Sequence, residues 1–209
     1  MRFTIGCRHE LSTKILEKFN LYRYRGFIKK TGCQLPTQNN IEQDQFDNEE
    51  TIYVIAEDEK NVVGCARLLP ITSLNSLKEV FPQLPADCIP QCEPCIWEVS
   101  RFPAVELCEQ KITAQAGISS ECAVQLIQQS INYVYQQGVI QLIMVSPLGI
   151  ERQLSKAGFH RTGVPMILDG RLLVPRLINA IPDHPYILVM STSLNSMFEV
   201  ISLRIVDYT

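Results

Sequence analysis

The apolar positions of this chain change period several times, and each change marks an element. A short apolar run around Phe3 to Gly6 predicts an opening strand. From His9 onward, Leu11, Ile15, Leu16, Phe19 and Tyr22 recur at helical spacing and predict an amphipathic first helix, with Arg23 and Phe27 near its end. Gly32, Pro36 and the polar run Thr37-Gln38-Asn39-Asn40 predict a loop leading to Asp44 and Asp47, a candidate lid. Thr51 to Glu57 and Val62 to Leu69 are β-rich and are separated by the charged turn Asp58-Glu59-Lys60-Asn61, which predicts an antiparallel hairpin. Pro70, Pro82, Pro85, Pro90 and Pro94 exclude a long regular element, leaving room for a short helix from Leu74 to Phe81.

The second half is more regular. Ile96 to Phe102 reads as a buried strand. Ser119 or Ser120 can cap a helix whose core face is Ala123, Leu126, Ile127, Ile131 and Val134, and Gly138 stands where a helix commonly ends. A buried strand, Val139 to Val145, follows, then a helix near Ile150 to Ala157 and a return strand around Phe159 to Thr162. Residues 163–209, including Met190 to Val200, suit closing strands and a last helix and carry no assigned chemistry. This order predicts an α/β fold, a mixed central sheet with helices on both faces. No repeat or linker divides it, so one domain over residues 1–209 is expected.

Composition narrows the function. With 46% hydrophobic residues there is material for a large core. Nineteen basic against twenty-two acidic residues give a net charge of −3, and no basic run is long enough for general attraction to nucleic acid or a membrane surface. The first ten residues become charged before an apolar stretch of signal-peptide length, and no later segment approaches a membrane span, so a cytoplasmic protein is expected. The eight cysteines are then reduced, mostly buried, small hydrophobes. Cys88, Cys92 and Cys95 lack a fourth ligand nearby, so no metal is expected.

The chemistry concentrates in Ile96-Trp97-Glu98-Val99-Ser100-Arg101-Phe102, which sets a carboxylate, a hydroxyl and a guanidinium in an apolar strand where unpaired charge is costly. Arg23, Asp44, Asp47 and Arg67 occupy similarly unfavourable settings, suggesting one polar cleft. Strand alternation puts Glu98 and Ser100 on one side and Arg101 on the other, so a shared site needs a bulge or other irregularity there. The rival is an ion-pair network that only ties sheet to loop.

The ordered set Arg23, Phe27, Asp44, Asp47, Arg67, Phe81, Glu98 and Arg101 resembles the signature of the N-acyl-homoserine-lactone synthases, the autoinducer synthases of quorum sensing. The strings Glu42-Gln43-Asp44-Gln45-Phe46-Asp47, Gly64-Cys65-Ala66-Arg67-Leu68-Leu69-Pro70, Phe81-Pro82 and Trp97-Glu98-Val99-Ser100-Arg101-Phe102 follow the family blocks in order, from about Leu21 to Phe159. Cys33 departs from the family's usual tryptophan. The resemblance implies a fold similar to the GCN5-related acetyltransferases, with a V-shaped cleft between central strands. It also implies transfer of an acyl chain from acyl carrier protein, or from acyl-CoA, to the amine of S-adenosylmethionine. Lactonisation then releases methylthioadenosine; S-adenosylmethionine is a substrate, and no cofactor is expected.

Residue chemistry fits that reaction. Glu98 is the best available base for removing a proton from the substrate ammonium, provided burial or a bridging water raises its basicity. Arg23 is expected to bind the substrate carboxylate, Asp44 or Asp47 to hold the ammonium or orient the arginines, and Arg67 to brace the acidic side. Phe27 and Phe81 are ordinary core aromatics or, by resemblance, lie at the substrate cleft, and Ser100 is either a channel hydroxyl or a strand-satisfied one. Met144 and Ser146 match the end of the strand lining the family's acyl pocket. Members making 3-oxo products tend to have threonine where Met144 stands, which implies an unsubstituted or otherwise different acyl chain. Arg152 and Lys156 share a helix face, with Arg161 close behind, and are candidates for docking acidic acyl carrier protein. Two other readings are an acetyl-CoA-dependent amine acetyltransferase, disfavoured because no Gly-x-Gly turn precedes the helix after Ser119, and a non-catalytic sensor of a small amphiphile.

Overall fold

The structure, a computed structural model, describes residues 1–30, 37–71, 95–102, 120–148, 151–156, 158–168 and 171–182. Strand β1 (Arg2–Cys7) leads through a single 3-10 turn to helix α1 (Thr13–Arg23), whose N-cap Ser12 accepts a hydrogen bond from the Ile15 N–H. The helix does not stop at Arg23. It widens into a π-helical stretch, Tyr24–Lys30, which re-aims the side chains it carries, Phe27 among them. The predicted lid loop differs from expectation in its described part, where β2 (Thr37–Gln38) and β3 (Ile41–Glu42) pair as a small hairpin. Asn39 (φ 52°) and Asn40 (φ 63°) form its turn, and asparagine tolerates the left-handed conformation that such a two-residue turn requires.

β4 (Ile52–Glu57) and β5 (Val62–Pro70) form the expected antiparallel hairpin, with a register shift between Ala56 and Glu57. After β6 (Ile96–Ser100), helix α2 (Ser120–Gln136) crosses over to β7 (Gln141–Pro147), and α3 (Glu151–Lys156), β8 (His160–Arg161), β9 (Met166–Leu168) and β10 (Arg171–Asn179) complete the described chain. Eight of these strands make one sheet in the order β1-β4-β5-β6-β7-β10-β8, with β9 also on β10. Neighbours are antiparallel except β6 and β7, whose parallel pairing requires the crossover that carries α2. The predicted helix from Leu74 to Phe81 and the expected last helix lie outside the described residues.

Helices cover both faces, as the sequence predicts. Ala123, Leu126, Ile127, Ile131 and Val134 of α2 are buried in one core with Val54, Ala56, Ala66, Leu68 and Val99. Leu11, Phe19 and Tyr22 pack in a second core against Tyr53, Ile55, Val62 and Cys65. Successive β4 residues therefore serve opposite cores, which fixes the register of the sheet's centre because a one-residue slip would exchange them. No helix among the described residues is long and apolar enough to cross a membrane. The described cysteines, Cys7, Cys65, Cys95 and Cys122, form no disulfide.

Gly138 ends α2 with φ 78°, and a Cβ there would meet open space, so a side chain is opposed by backbone conformation rather than by crowding. Gly138→Ala is expected to lower unfolding free energy by about 1–2 kcal/mol in urea titrations without changing the slope.

Candidate active site

The sheet opens at its centre. β6 and β7 pair from Ile96↔Gln141 through Glu98↔Ile143 and then part, although β6 continues to Ser100 and β7 to Pro147. Each strand keeps its outer neighbour beyond that point: Ser100 pairs with Arg67 on β5, and Met144 to Pro147 pair with β10. The result is the V-shaped cleft, with Glu98 at the last shared rung and Ser100 on one arm. Immediately past β6, Arg101 has φ 46°, the irregularity that strand alternation demanded. It turns the Arg101 side chain back to the face that carries Glu98, Ser100 and Arg67.

Three guanidinium groups converge on three carboxylates at this face. Arg23, from the end of α1, donates from Nε to Glu42 at 2.6 Å and with its two terminal nitrogens to Asp47 at 2.6 and 3.0 Å. Arg67 donates to Asp44 at 2.6 Å and to the Ser100 hydroxyl at 3.1 Å, and stands 3.3 Å from Asp47. Arg101 donates to Glu42 at 3.1 Å and Asp44 at 2.7 Å. The acids are held locally as well. The Asp44 N–H donates to the Asp47 carboxylate, the Phe46 N–H donates to that of Asp44, and the Tyr53 hydroxyl donates to Asp47. Aromatic faces complete the packing, with Arg23 over Phe19, Arg67 over Phe46 and Arg101 over Phe27 at 5.5, 5.8 and 5.6 Å from ring centroids.

The arrangement separates one carboxylate from the rest. Burial pushes Glu42 and Asp47 upward, but the arginines outweigh it: Arg101 and Arg23 lower Glu42, and Arg23 with Arg67 holds Asp47 well below the usual carboxylate range. For Glu98 burial wins and its carboxyl is raised, with Arg67 and a hydrogen bond from Ser100 only partly opposing. Burial also raises the Tyr53 phenol, helped by Asp47, and pushes the Cys65 thiol up to about 12, so neither ionises at neutral pH. Glu98 is thus a carboxyl raised by burial beside a cluster in which three guanidinium groups meet three carboxylates.

Of the candidate residues read from sequence, Arg23, Phe27, Asp44, Asp47, Arg67, Glu98, Ser100 and Arg101 meet in this one cluster. Arg23, expected to bind the substrate carboxylate, donates from Nε, Nη1 and Nη2 to Glu42 and Asp47 and so also braces the acids. Glu42 and Tyr53 were not singled out in the sequence, yet Glu42 bridges two arginines; charge balance, three buried arginines against two aspartates, was the signal available. Met144 and Ser146 are buried on β7 next to the parting point. Arg152 and Lys156 lie four residues apart on α3, but their side chains are outside the described residues, while Arg161 is engaged bidentately by Glu151. Phe81, Cys33, Cys88 and Cys92 lie outside the described residues.

Residues 8–168 match the autoinducer synthase family. An acyl-homoserine-lactone synthase of Acinetobacter nosocomialis is 43% identical over 182 residues, spanning 86% of this chain and 100% of that protein. A crystal structure of TofI in a ternary complex with an inhibitor and MTA matches at 33% identity with a TM-score of 0.70, over 86% of this chain and 92% of that one. An acyl-CoA N-acyltransferase from Pseudomonas aeruginosa, 11% identical, shares the fold at a TM-score of 0.60 over 85% of this chain and 99% of that one.

Removing one acid from the cluster strands a buried guanidinium. Asp47→Asn is expected to destabilise the protein at neutral pH by about 3–5 kcal/mol, measured by urea unfolding. Because the folded Asp47 pKa is depressed, its contribution is fully present above the unfolded value of about 3.9 and is lost as pH falls towards the folded one. The gap between wild type and Asp47→Asn should therefore narrow steadily below about pH 4.

Proposed function

The chain belongs to the autoinducer synthase family, and on that premise we propose that its cleft transfers an acyl chain from a thioester to the amine of S-adenosylmethionine and then closes the lactone. The observation that carries this reading is the isolation of Glu98: a carboxyl raised by burial, at the point where the central strands part, beside a charge-matched cluster. S-adenosylmethionine brings a carboxylate, an ammonium and a sulfonium, one net positive charge. Glu98 in its base form, beside the charge-matched cluster, brings the one negative charge that complements it. The MTA held by TofI supports an adenosyl sulfonium substrate for this chain as well.

In the first step Glu98 accepts a proton from the ammonium, directly or through water, and the freed nitrogen attacks the thioester carbonyl. The tetrahedral intermediate collapses, the C–N bond is kept, the C–S bond breaks and the thiol leaves with a proton. In the second step the carboxylate of the acylated substrate attacks its own γ-carbon, and methylthioadenosine departs as the sulfonium is neutralised. That closure is intramolecular, so a binding geometry that folds the chain supplies most of its acceleration. Asp44 and Asp47 are committed to the arginines and act by fixing the site. Arg67 and a hydrogen bond from Ser100 lower Glu98 against the effect of burial and so set its basicity. Phe27 stacks with Arg101 and forms part of the wall.

Acyl carrier protein is the donor favoured by the basic pair Arg152 and Lys156 on one helix, since carrier proteins are acidic. Both substrates are products of cytoplasmic metabolism, which is where the reaction belongs.

Incubation of the purified chain with S-adenosylmethionine and matched acyl-carrier and acyl-CoA thioesters, followed by mass identification, is expected to yield N-acyl-homoserine lactone and methylthioadenosine. Acylation of other amines without lactone would refute the reading. Glu98→Gln should lower kcat by about 10²–10⁴-fold while leaving the melting temperature nearly unchanged. In wild type, the acid limb of kcat/KM should fall above the ordinary glutamate pKa of about 4.3, since the base form is lost as pH drops through a raised value.

A further inference from the structure

Arg176, on β10, is fully buried and takes no part in the cluster around Glu98. Its Nε donates to the Ser146 hydroxyl at 2.9 Å. Both terminal nitrogens, Nη1 and Nη2, are buried and have no hydrogen-bond partner among the described residues. Glu151 forms an ion pair with Nη2 at 3.6 Å, just past hydrogen-bond length, and is drawn mainly to Arg161, which donates to its two oxygens at 2.9 and 2.6 Å. Arg161 is also the cross-strand neighbour of Arg176, so like charges sit side by side. Guanidinium stays protonated in proteins, and a buried one whose charge is met by a single long ion pair and whose terminal nitrogens lack a hydrogen-bond acceptor keeps donor capacity for an acceptor that arrives from outside.

Register locates where that acceptor arrives. Arg176 pairs with Met144, and Val174 with Ser146, so these four side chains share one face of the sheet with Leu142 and Ile178. Glu98 pairs with Ile143 and therefore belongs to the opposite face. A chain whose reactive end lies at Glu98 and which passes between the parted strands emerges beside Met144, one strand spacing from Arg176. Towards β7, Ser146 is the polar neighbour beside Leu142 and Met144, while Arg161 of β8 and Glu151 flank Arg176 on its other side. Arg176 is thus a buried donor with apolar Leu142 and Met144 on its β7 side and the Glu151–Arg161 pair on the other, close to the reacting end.

We propose that Arg176 is a specificity residue for the acyl chain, donating hydrogen bonds to an oxygen on the acyl group near the thioester, such as a 3-hydroxyl or 3-oxo group. Ser146 holds the guanidinium in place through Nε and leaves Nη1 and Nη2 for the ligand. A methionine at position 144 removes one possible side-chain donor on β7, and the guanidinium beside it supplies the polarity from the next strand. This inference rests on the acyl-transfer reading above.

The test compares 3-hydroxyacyl, 3-oxoacyl and unsubstituted acyl carrier protein of one chain length as donors to S-adenosylmethionine. Wild type is expected to use at least one oxygenated donor with kcat/KM about tenfold or more above the unsubstituted one, because a site that hydrogen-bonds an oxygen rejects the analogue lacking it. Arg176→Met, similar in length and without donors, should bring the donors to within about threefold of one another, chiefly by slowing the oxygenated ones. An unsubstituted donor equal to or better than both oxygenated ones in wild type would overturn the assignment, as would an unchanged ratio in folded Arg176→Met. Should circular dichroism show that variant unfolded, the wild-type ratio decides alone. Failure to form lactone from every thioester would instead refute the acyl-transfer reading.

Discussion

The buried exchange of charge between Arg23, Arg67, Arg101 and Glu42, Asp44, Asp47 is the constraint around which the rest of the molecule is arranged. None of these six groups tolerates burial alone, since the effective desolvation of one ion amounts to several kcal/mol. The arginines come from the end of a helix, the middle of a strand and the residue beyond another strand, while the acids come from one short irregular stretch. The stretch around residues 42–47 is therefore docked by charge rather than by apolar area, and its only aromatic, Phe46, contributes by lying under Arg67. A hydrophobic replacement of similar shape is often as stable as such a network, so stability alone does not account for it. What the network supplies is a fixed, nearly neutral wall, against which one further carboxylate keeps a raised pKa.

That fourth carboxylate depends on backbone geometry more than on charge. Were β6 and β7 to stay paired past Glu98, the strand would be sealed and no thioester could approach. Were Arg101 in ordinary strand conformation, its side chain would face the α2 core, which is lined by apolar residues such as Val99, Ala123 and Leu126. The left-handed Arg101 and the parting of the strands are thus two parts of one device. The first recruits the arginine to the acid wall, and the second opens the sheet beside it. Cost is met locally, because a non-glycine residue in this conformation needs surroundings that over-determine it, and two carboxylates plus the Phe27 ring do so.

Much of this was legible in the residues. The helical spacing of Ala123 to Val134 and the charged turn at Asp58 to Asn61 specify α2 and the β4–β5 hairpin without tertiary help. Glu98 and Arg101 announced themselves by being charged in an apolar strand, and the conflict between alternation and convergence pointed to a distortion at that place. Glu42 escaped because an acid in a polar stretch carries no anomaly; its burial is created only when Arg23 and Arg101 arrive from elsewhere. The π-helical continuation of α1 and the Asn39-Asn40 turn escaped for a related reason. Local propensity describes where a helix can end, whereas packing of Phe27 under Arg101 decides how it ends. Arg176 was invisible for a third reason, since a single arginine in Leu-Leu-Val-Pro-Arg-Leu-Ile gives no hint of which face it takes until the register with Met144 is known.

A sheet that parts in the middle gives the two halves of this reaction different faces. In the proposed reaction, amine binding and proton removal fall to the rungs of Tyr53, Arg67, Ser100 and Glu98, which alternate onto the α1 face. Met144, Ser146 and Arg176, the residues proposed to meet the acyl chain, alternate onto the other. Between them lies only the gap that opens after Glu98↔Ile143. A substitution on β10 can therefore alter which acyl group is accepted without touching a hydrogen bond of the acid–arginine wall, and the wall can be conserved in geometry while the far side is rebuilt. Separation by strand alternation is what allows one proton-transfer site to serve chemically different chains, and it requires nothing beyond the period of two that every strand possesses.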